Sequence, residues 1–483
     1  MEFLTQFIDE NGKPVGPQFT LPVASKIKDL NSLINQFLEN EEATPYSFYV
    51  DDDQLVDGLS EIEGKHSKEH VLKILYRPEA TFSIKPVSFC SAKLPGHSQI
   101  VLCISFSPDG RSLVTGGGDG TVISWDISTQ SLKQKIPIGQ TWIQAIEWHA
   151  SAKYVATGST DGYIRILERN DETLELEVKR QIQASKQGKI FLLQWEPLHS
   201  CTGPLRLCAA TDTGDIIMVD ALTGNRLIPI NGHERNNQIM CLSWGAHNVL
   251  YSASHDKTIK AWDTLTGQEL SCFRSRSAWR TMSISTQFPL RTGPWELGKL
   301  IPITETGNEL NDQIARSLLR LQQHEAKSPQ EMIAVGNVDC TITLLTLDSQ
   351  KNFKEIGRLP GHTKLVNHVL FSPNGYWLAS ASFDHGVKLW DGRSGRFICS
   401  LGEGRGKNTG RHVKEVYRIA WSPDSRQLLS GSADTTVKLW NVAKQKLHND
   451  LAGHEDAIYA IDWNPAGYPA ASGGKDKQVF LWR

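Results

Sequence analysis

From about residue 95 onward one pattern keeps returning, and it limits the fold more than any other feature of the chain. The stretch "GHTKLVNHVLFSPNGYWLASASFDHGVKLWD", Gly361 to Asp391, is echoed by "GHEDAIYAIDWNPAGYPAASGGKDKQVFLWR", Gly453 to Arg483. Each opens on Gly-His, runs through an apolar alternation to a Pro-containing turn, alternates again, reaches an Asp and closes on a Trp. A unit of this size cannot bury its apolar face alone, so it must stack on its neighbours. Clear units open at His97, His233, His362, His412 and His454, and close at Trp125-Asp126, Trp262-Asp263, Trp390-Asp391, Trp440-Asn441 and Trp482. Weaker ones fill the gaps, from Gly139-Gln140 to Leu167-Glu168, from Ser185 to Val219-Asp220, and from about Ser277 to Leu345-Thr346, which makes eight in all.

A spacing near 40 residues, with period-two strands divided by turns, suits four-stranded propeller blades. The turns are of the kind "SPDG" (Ser107 to Gly110) and "SPNG" (Ser372 to Gly375). This region resembles the WD-repeat β-propellers. In such blades the His, the turn Asp and the strand Trp are expected to join in a buried hydrogen-bonded set, for example His362, Asp384 and Trp390. Where the set is eroded, as at Gln140 and Leu167, apolar packing is expected to hold the blade and leave it softer. Ring closure leaves few free strand edges. "ATFSIKPVSFC", Ala80 to Cys90, can supply the outer strand that the last blade lacks, so residues 80–96 read as linker and closing strand ahead of a propeller at 97–483. Two insertions break the pattern. Residues from about 286 to 330 carry Leu310, Ile314, Leu318, Leu319 and Leu321 at roughly helical spacing, and "GEGRGKNTGRH" lengthens the loop from Gly402 to His412.

Residues 1–79 carry no such repeat. "EFLTQFID" alternates, "QFTLP" returns after a Gly/Pro-rich turn, and Ile27, Leu30, Leu33, Ile34, Phe37 and Leu38 trace one helix face. "YSFYV" (Tyr46 to Val50) and "HVLKILY" (His70 to Tyr76) read as further strands, which together suggest a small α+β ubiquitin-like grasp fold. The whole chain is therefore expected to be mainly β, a small grasp domain ahead of an eight-bladed propeller.

Charge and cysteine usage narrow the function classes. Lys plus Arg is 51 against 53 Asp plus Glu, so any nucleic-acid contact must come from a local patch. No run of about 18 uncharged apolar residues suggests a membrane span, and "MEFLTQFIDENGK" does not read as a secretory signal, so the expected setting is intracellular. The eight cysteines lack Cys-x-x-Cys or zinc-like spacing and read as small buried hydrophobes.

The pairing of the two parts is more telling than either. A small domain ahead of eight blades, "PYSFYV", "ILYRPEATFSIKPVSFCSAKLPGH", "LRTGPWE" in the fifth blade, and "GHEDAIYAIDW" with "SGGKDKQVFLWR" at the end together resemble the Notchless family across essentially the whole chain. Departures gather in the second and third blades and in "GEGRGKNTG". The resemblance implies a nuclear and nucleolar assembly factor of the large (60S) ribosomal subunit, a non-enzymatic monomer without membrane or small-molecule partners. Its propeller would dock on the pre-60S particle, with its rRNA and ribosomal proteins, and its N-terminal domain would engage midasin, an AAA-type ATPase.

In the family an exposed Glu of the small domain completes the coordination of a Mg2+ held by midasin, and the motif aligns with "HSKEHVLKILY", which places Glu69 in that role. Mg2+ requires hard oxygen ligands in near-octahedral geometry, which a loop carboxylate ahead of a strand can offer. No metal is expected on this chain alone. Glu61 and Glu63 are the fallback residues. "DDDQLVDG", Asp51 to Gly58, lacks the alternate-residue ligands and closing Glu of a calcium loop and reads as a solvated turn. "GEGRGKNTG" has Asn408 where a phosphate loop needs Ser or Thr, which leaves Arg405, Lys407 and Arg411 as possible contacts to RNA phosphates. Recurring Ser, His and Asp suggest a hydrolase only superficially, since a catalytic set need occur once and these return in nearly every blade.

Counting about three residues past each Gly-His position predicts a rim on one propeller face: Ile100, Trp142, Lys189, Gln238, Trp279, Leu365, Glu415 and Ala457. Trp142, Lys189, Trp279 and Leu365 are the candidate binding residues among them, because aromatic anchors are frequent at interface hot spots. Two other readings stand beside this one. A WD-repeat receptor or scaffold in the ubiquitin system would use the small domain as a tether, and a related midasin client would carry seven blades rather than eight.

Overall fold

The computed structural model describes residues 2–9, 12–38, 45–51, 53–62, 71–79, 83–185, 188–198, 205–230, 232–246, 248–286, 330–403 and 410–483. It divides into a unit ending at Ser83 and a larger one beginning at Ile84.

In the first unit, β1 (Glu2–Ile8) alternates buried and open residues, so Phe3 and Phe7 enter the core. It pairs antiparallel with β2 (Pro14–Pro22) on one side. On the other it pairs in parallel with β5 (Leu72–Pro78), which requires a crossover, and α1 (Ile27–Phe37) supplies one. The helix starts where the Asp29 carboxylate accepts the Lys26 N–H at 2.8 Å. It is latched to β3 (Tyr46–Val50) by Asn31, whose side-chain oxygen accepts the Tyr46 N–H at 2.7 Å. Sheet order β2-β1-β5-β3-β4 is the grasp arrangement, with β4 (Asp53–Leu55) at the edge. That short strand replaces the wholly solvated turn expected of "DDDQLVDG". Leu55 is 3% exposed, because its apolar side chain has the sheet to pack against.

The second unit contains eight sheets. Their first strands, Val101–Phe106, Ile143–Trp148, Ile190–Trp195, Ile239–Trp244, Trp279–Ile284, Val366–Phe371, Val416–Trp421 and Ile458–Trp463, pack each against the next, and the last packs against the first. The ring is closed. Seven sheets have four strands; the third has three, and its fourth place is held by the bridges Ile216↔Ile230 and Val219↔Arg226. Pro229 within that segment has no N–H to give a ladder.

Tryptophans at the ends of inner strands fasten blade to blade, a role the repeat pattern did not reveal. The indole N–H groups of Trp148, Trp195, Trp244 and Trp421 donate to the carbonyls of Ser105, Glu147, Gln194 and Leu370 on the preceding blade, at 3.0–3.2 Å. Between the last blade and the first, the Phe106 N–H donates to Asp462 at 2.8 Å instead.

The closing strand is β6 (Cys90–Pro95), which pairs with Gln478–Trp482. It lies just after the Ala80–Cys90 stretch expected to play this part. Of that stretch, residues 84 to 88 run as a strap whose backbone groups are taken up by side chains: Asp424 accepts the Ile84 N–H, Gln427 donates to the Ile84 carbonyl and Asn449 to that of Val87. Pro86 interrupts any ladder there. The helical reading for 310–321 and most of the 286–330 insertion lie outside the described residues.

Leu94 is 4% exposed and packs with Val479 and Leu481, whereas Lys93 beside it is exposed. Leu94→Ala is expected to cost about 2–4 kcal/mol in urea unfolding of the full chain, and Lys93→Ala under about 1 kcal/mol. Equal effects would remove β6 from the closure.

Candidate functional site

Every inner strand carries a β-bulge at the same place, immediately after its first ladder residue. The extra residue is turned out of the ladder, as bulges do. In the first four blades it is Leu102, Gln144, Phe191 and Met240; in the last four it is Arg280, Asn367, Tyr417 and Tyr459. All are half-buried. Two residues earlier a carbonyl accepts an N–H from the turn between second and third strands, at 2.8–3.2 Å. The acceptors are Ile100, Trp142, Lys189, Gln238, Ala278, Leu365, Glu415 and Ala457.

This register corrects one predicted rim residue. Trp279 stands where Val101, Ile143 and Val366 stand in other blades, and is fully buried against Phe273 with ring centroids 6.2 Å apart. Ala278 holds the rim position in its place, since a shift of one residue sends the side chain to the opposite face. Trp142 is 46% exposed, Lys189 is exposed and Leu365 is half-buried. An arc of rings continues the rim across the sixth to eighth blades. Phe383 meets Tyr417 edge-on at 5.7 Å, and Tyr417 meets Tyr459 at 5.3 Å.

Arg411 is tied into this rim. Its guanidinium donates to the Asp384 carbonyl at 2.6 Å and pairs with Glu403 at 3.3 Å. Arg405, Lys407, Glu69 and Glu63 lie outside the described residues. Glu61 is described, and its carboxylate accepts the N–H groups of Val56, Asp57 and Gly58, so it caps its own turn instead of pointing to a partner. Of the cysteines, Cys208 is buried as expected, but Cys90 and Cys272 are exposed on outer strands, whose outward face meets water.

The expected His–Asp–Trp set forms in five blades, with a fourth member the sequence reading missed. In the sixth blade the His362 Nδ1–H donates to Asp384 at 2.8 Å, and the Ser380 hydroxyl lies 2.8 Å from Nε2 and accepts the Trp390 indole N–H at 2.9 Å. A carboxylate can only accept, so Nδ1 carries the hydrogen, Nε2 accepts from the hydroxyl, and every polar group is satisfied in a neutral imidazole. The same circuit runs through His233–Ser252–Trp262, His412–Ser430–Trp440 and His454–Ser472–Trp482, and through His97–Thr115–Trp125. Ser or Thr ten residues before the Trp is the signal that could have found it.

Eroded blades are not held by apolar packing alone. In the second, Arg165 donates to Ser159 at 2.7 Å and to Asp161 at 2.9 Å; in the fifth, Asn337 donates to Thr341 at 3.1 Å. Polar replacements thus rebuild the turn where the His is missing.

Burial works against the charged form of Asp119, but the Ser98 N–H, the Thr121 hydroxyl and His97 outweigh it and bring the carboxyl down to about 2. Asp256, Asp384 and Asp434 are lowered likewise, against burial, chiefly by hydrogen bonds from their histidines. Burial pushes the His149 imidazole down to about 4; it is 1% exposed and packs edge-on to Trp195 at 5.1 Å.

The WD domain, G-beta repeat family matches residues 88–126, 131–167, 224–263, 353–391, 407–441 and 445–483, which leaves out the third and fifth blades. The NLE (NUC135) domain family matches residues 3–62. The chain is 33% identical to Protein Notchless of Drosophila melanogaster, over 76% of this chain and 74% of that one. It is 36% identical to the Notchless protein homolog of Arabidopsis thaliana, over 81% and 80%. To Ribosome assembly protein 4 of Saccharomyces cerevisiae it is 34% identical, over 81% and 78%. Among solved structures, the computationally designed Ika8 protein superposes with a TM-score of 0.60 at 21% identity, covering 82% of this chain and 99% of its own, a likeness of fold.

Ser380→Ala strips a partner from both His362 and Trp390 and is expected to cost about 2–4 kcal/mol in urea unfolding. Acid should act in two stages. A histidine held below its unfolded value of about 6.5 contributes stability that is complete above that pH and is lost as pH falls towards its folded value. For His149 that window runs down to about pH 4. The lowered carboxyls lose theirs next, between about pH 4 and, for Asp119, about 2. His149→Gln should flatten the first stage by about 2–3 kcal/mol when unfolding free energies at pH 7.5 and pH 4.5 are compared. An unchanged slope would place the lost stability elsewhere.

Proposed function

This chain belongs to the Notchless family, and from that membership we propose that it is a ribosome biogenesis factor without catalytic activity of its own, acting on the large subunit. The propeller docks on the pre-60S particle in the nucleolus. The grasp domain presents Glu69 to a Mg2+ site on midasin, so that ATP-driven pulling is transmitted to the particle through this chain.

The rim is the observation that carries the docking half. The bulge register holds the indole of Trp142 and the rings of Tyr417 and Tyr459 out of the blade cores, and large aromatic groups at a solvated edge are the usual anchors of an interface. The histidines, aspartates and serines that might suggest hydrolysis are spent on tryptophans in five repeated circuits. For the midasin half, the support is chemical and comes from the family resemblance. A carboxylate oxygen is a hard ligand suited to Mg2+, and the metal would belong to the partner.

Glu69→Ala and Glu69→Asp are expected to leave co-sedimentation with pre-60S particles intact while abolishing capture of midasin. Trp142→Ala should weaken particle association about tenfold with unfolding temperature unchanged. Loss of particle binding in both Glu69 variants would make that residue structural. Co-purification with a ubiquitin ligase in place of ribosomal RNA would favour the tether reading.

A further inference from the structure

The eight inner strands surround a channel, and a cavity of about 380 Å³ within it is lined by the first, second, sixth, seventh and eighth blades. Its wall is uneven in charge. Arg418 follows the bulged Tyr417, and its side chain reaches the channel. The charge there acts on Cys103, Cys241, His368 and Arg280, which belong to the first, fourth, sixth and fifth blades. Only a group close to the axis can be neighbour to so many blades. Among the described residues the Arg418 guanidinium has no hydrogen bond or ion pair.

Arg280 is the bulged residue of the fifth blade. Its Nε donates to the Asn367 side-chain oxygen at 3.2 Å, and Asn367 in turn donates to the Tyr417 carbonyl at 2.7 Å. This holds the second guanidinium at the same end of the channel. His368 adds no charge of its own: its Nδ1 accepts the Ile419 N–H at 3.3 Å, and burial, then Arg418, push its pKa well down. The channel carboxylates stand lower. Asp462 lies two places further along its strand than the residue level with Arg418, about 7 Å by strand rise, and it is engaged by the N–H groups of Phe106 and Trp463. Glu147 lies at the same depth and accepts from Gln194 at 3.2 Å.

Two like charges held near each other, with no counter-charge paired to either guanidinium among the described residues, repel each other. A guanidinium fork matches the paired oxygens of a carboxylate or a phosphate. We propose that Arg280 and Arg418 form an oxyanion-binding site in the central channel, filled from the rim by a carboxylate or phosphate group. Tyr459 lines the cavity, and Tyr417 packs against it. This site requires neither Glu69 nor the docking reading.

The test is thermal unfolding of the full chain at fixed ionic strength, with chloride replaced stepwise by inorganic phosphate in one arm and by glutarate in the other. A saturable rise of about 2 °C is expected in at least one arm, and the arm that responds identifies the group. Arg418→Gln should abolish that rise without lowering the unfolding temperature in chloride, because it also removes the repulsion. Arg280→Gln should weaken the response about tenfold, and it stands in if the first variant does not fold. Absence of a rise in both arms overturns the site. So does an equal rise in the variants, which is the general effect of excluded salts, or a variant destabilised equally in every salt.

Discussion

One hydroxyl group carries the architecture. In five blades a Ser or Thr oxygen stands between a histidine and a tryptophan, giving its hydrogen to Nε2 and receiving the indole N–H. Because the histidine's other nitrogen is committed to the turn aspartate, the circuit ties the second and third strands, the turn between them and the loop ahead of the first strand into one unit. Its polar groups could not be buried singly. An unsatisfied donor in a low-dielectric interior costs about as much as several net hydrogen bonds contribute, so the circuit is favourable only when complete.

That constraint shapes the surface as well. With second and third strands pinned by the circuit, each inner strand presents one residue at its rim end, where the bulge ejects it and the carbonyl two places earlier is tied to the adjacent turn. The backbone therefore repeats around the ring while the ejected side chains differ, from Leu102 to Arg280 to Tyr459. An eightfold scaffold thus yields a face without eightfold symmetry, which a single specific partner requires. Blades that lack the histidine keep the same backbone through other polar sets, such as Arg165 with Ser159 and Asp161.

Much of this was readable beforehand because it is local. The His-to-Asp and Asp-to-Trp spacings recur within each of the five clear units, and turn residues such as "SPDG" mark the strand ends. The grasp domain's strands and helix likewise followed from short-range periodicity. The bridging hydroxyl was missed although it sits ten residues before each tryptophan, because Ser and Thr are too common to stand out without knowing what they face. The inner-strand tryptophans were missed for another reason. Trp148 and Trp421 look like ordinary ends of apolar strands until the neighbouring blade places a carbonyl beside them.

The sequence by itself determined the number of blades, the identity of the pinned turns and the order of grasp and propeller, since each depends on contacts within some 40 residues of chain. Only the tertiary structure decided which side chains stand on the rim. Side-chain direction alternates residue by residue and a bulge resets it, so Trp279 is core and Ala278 is rim in a blade whose Gly-His marker is absent. It also decided what meets at the axis. Arg280 and Arg418 are far apart in the chain, and the stacking of the fifth blade on the sixth and the sixth on the seventh brings them near each other.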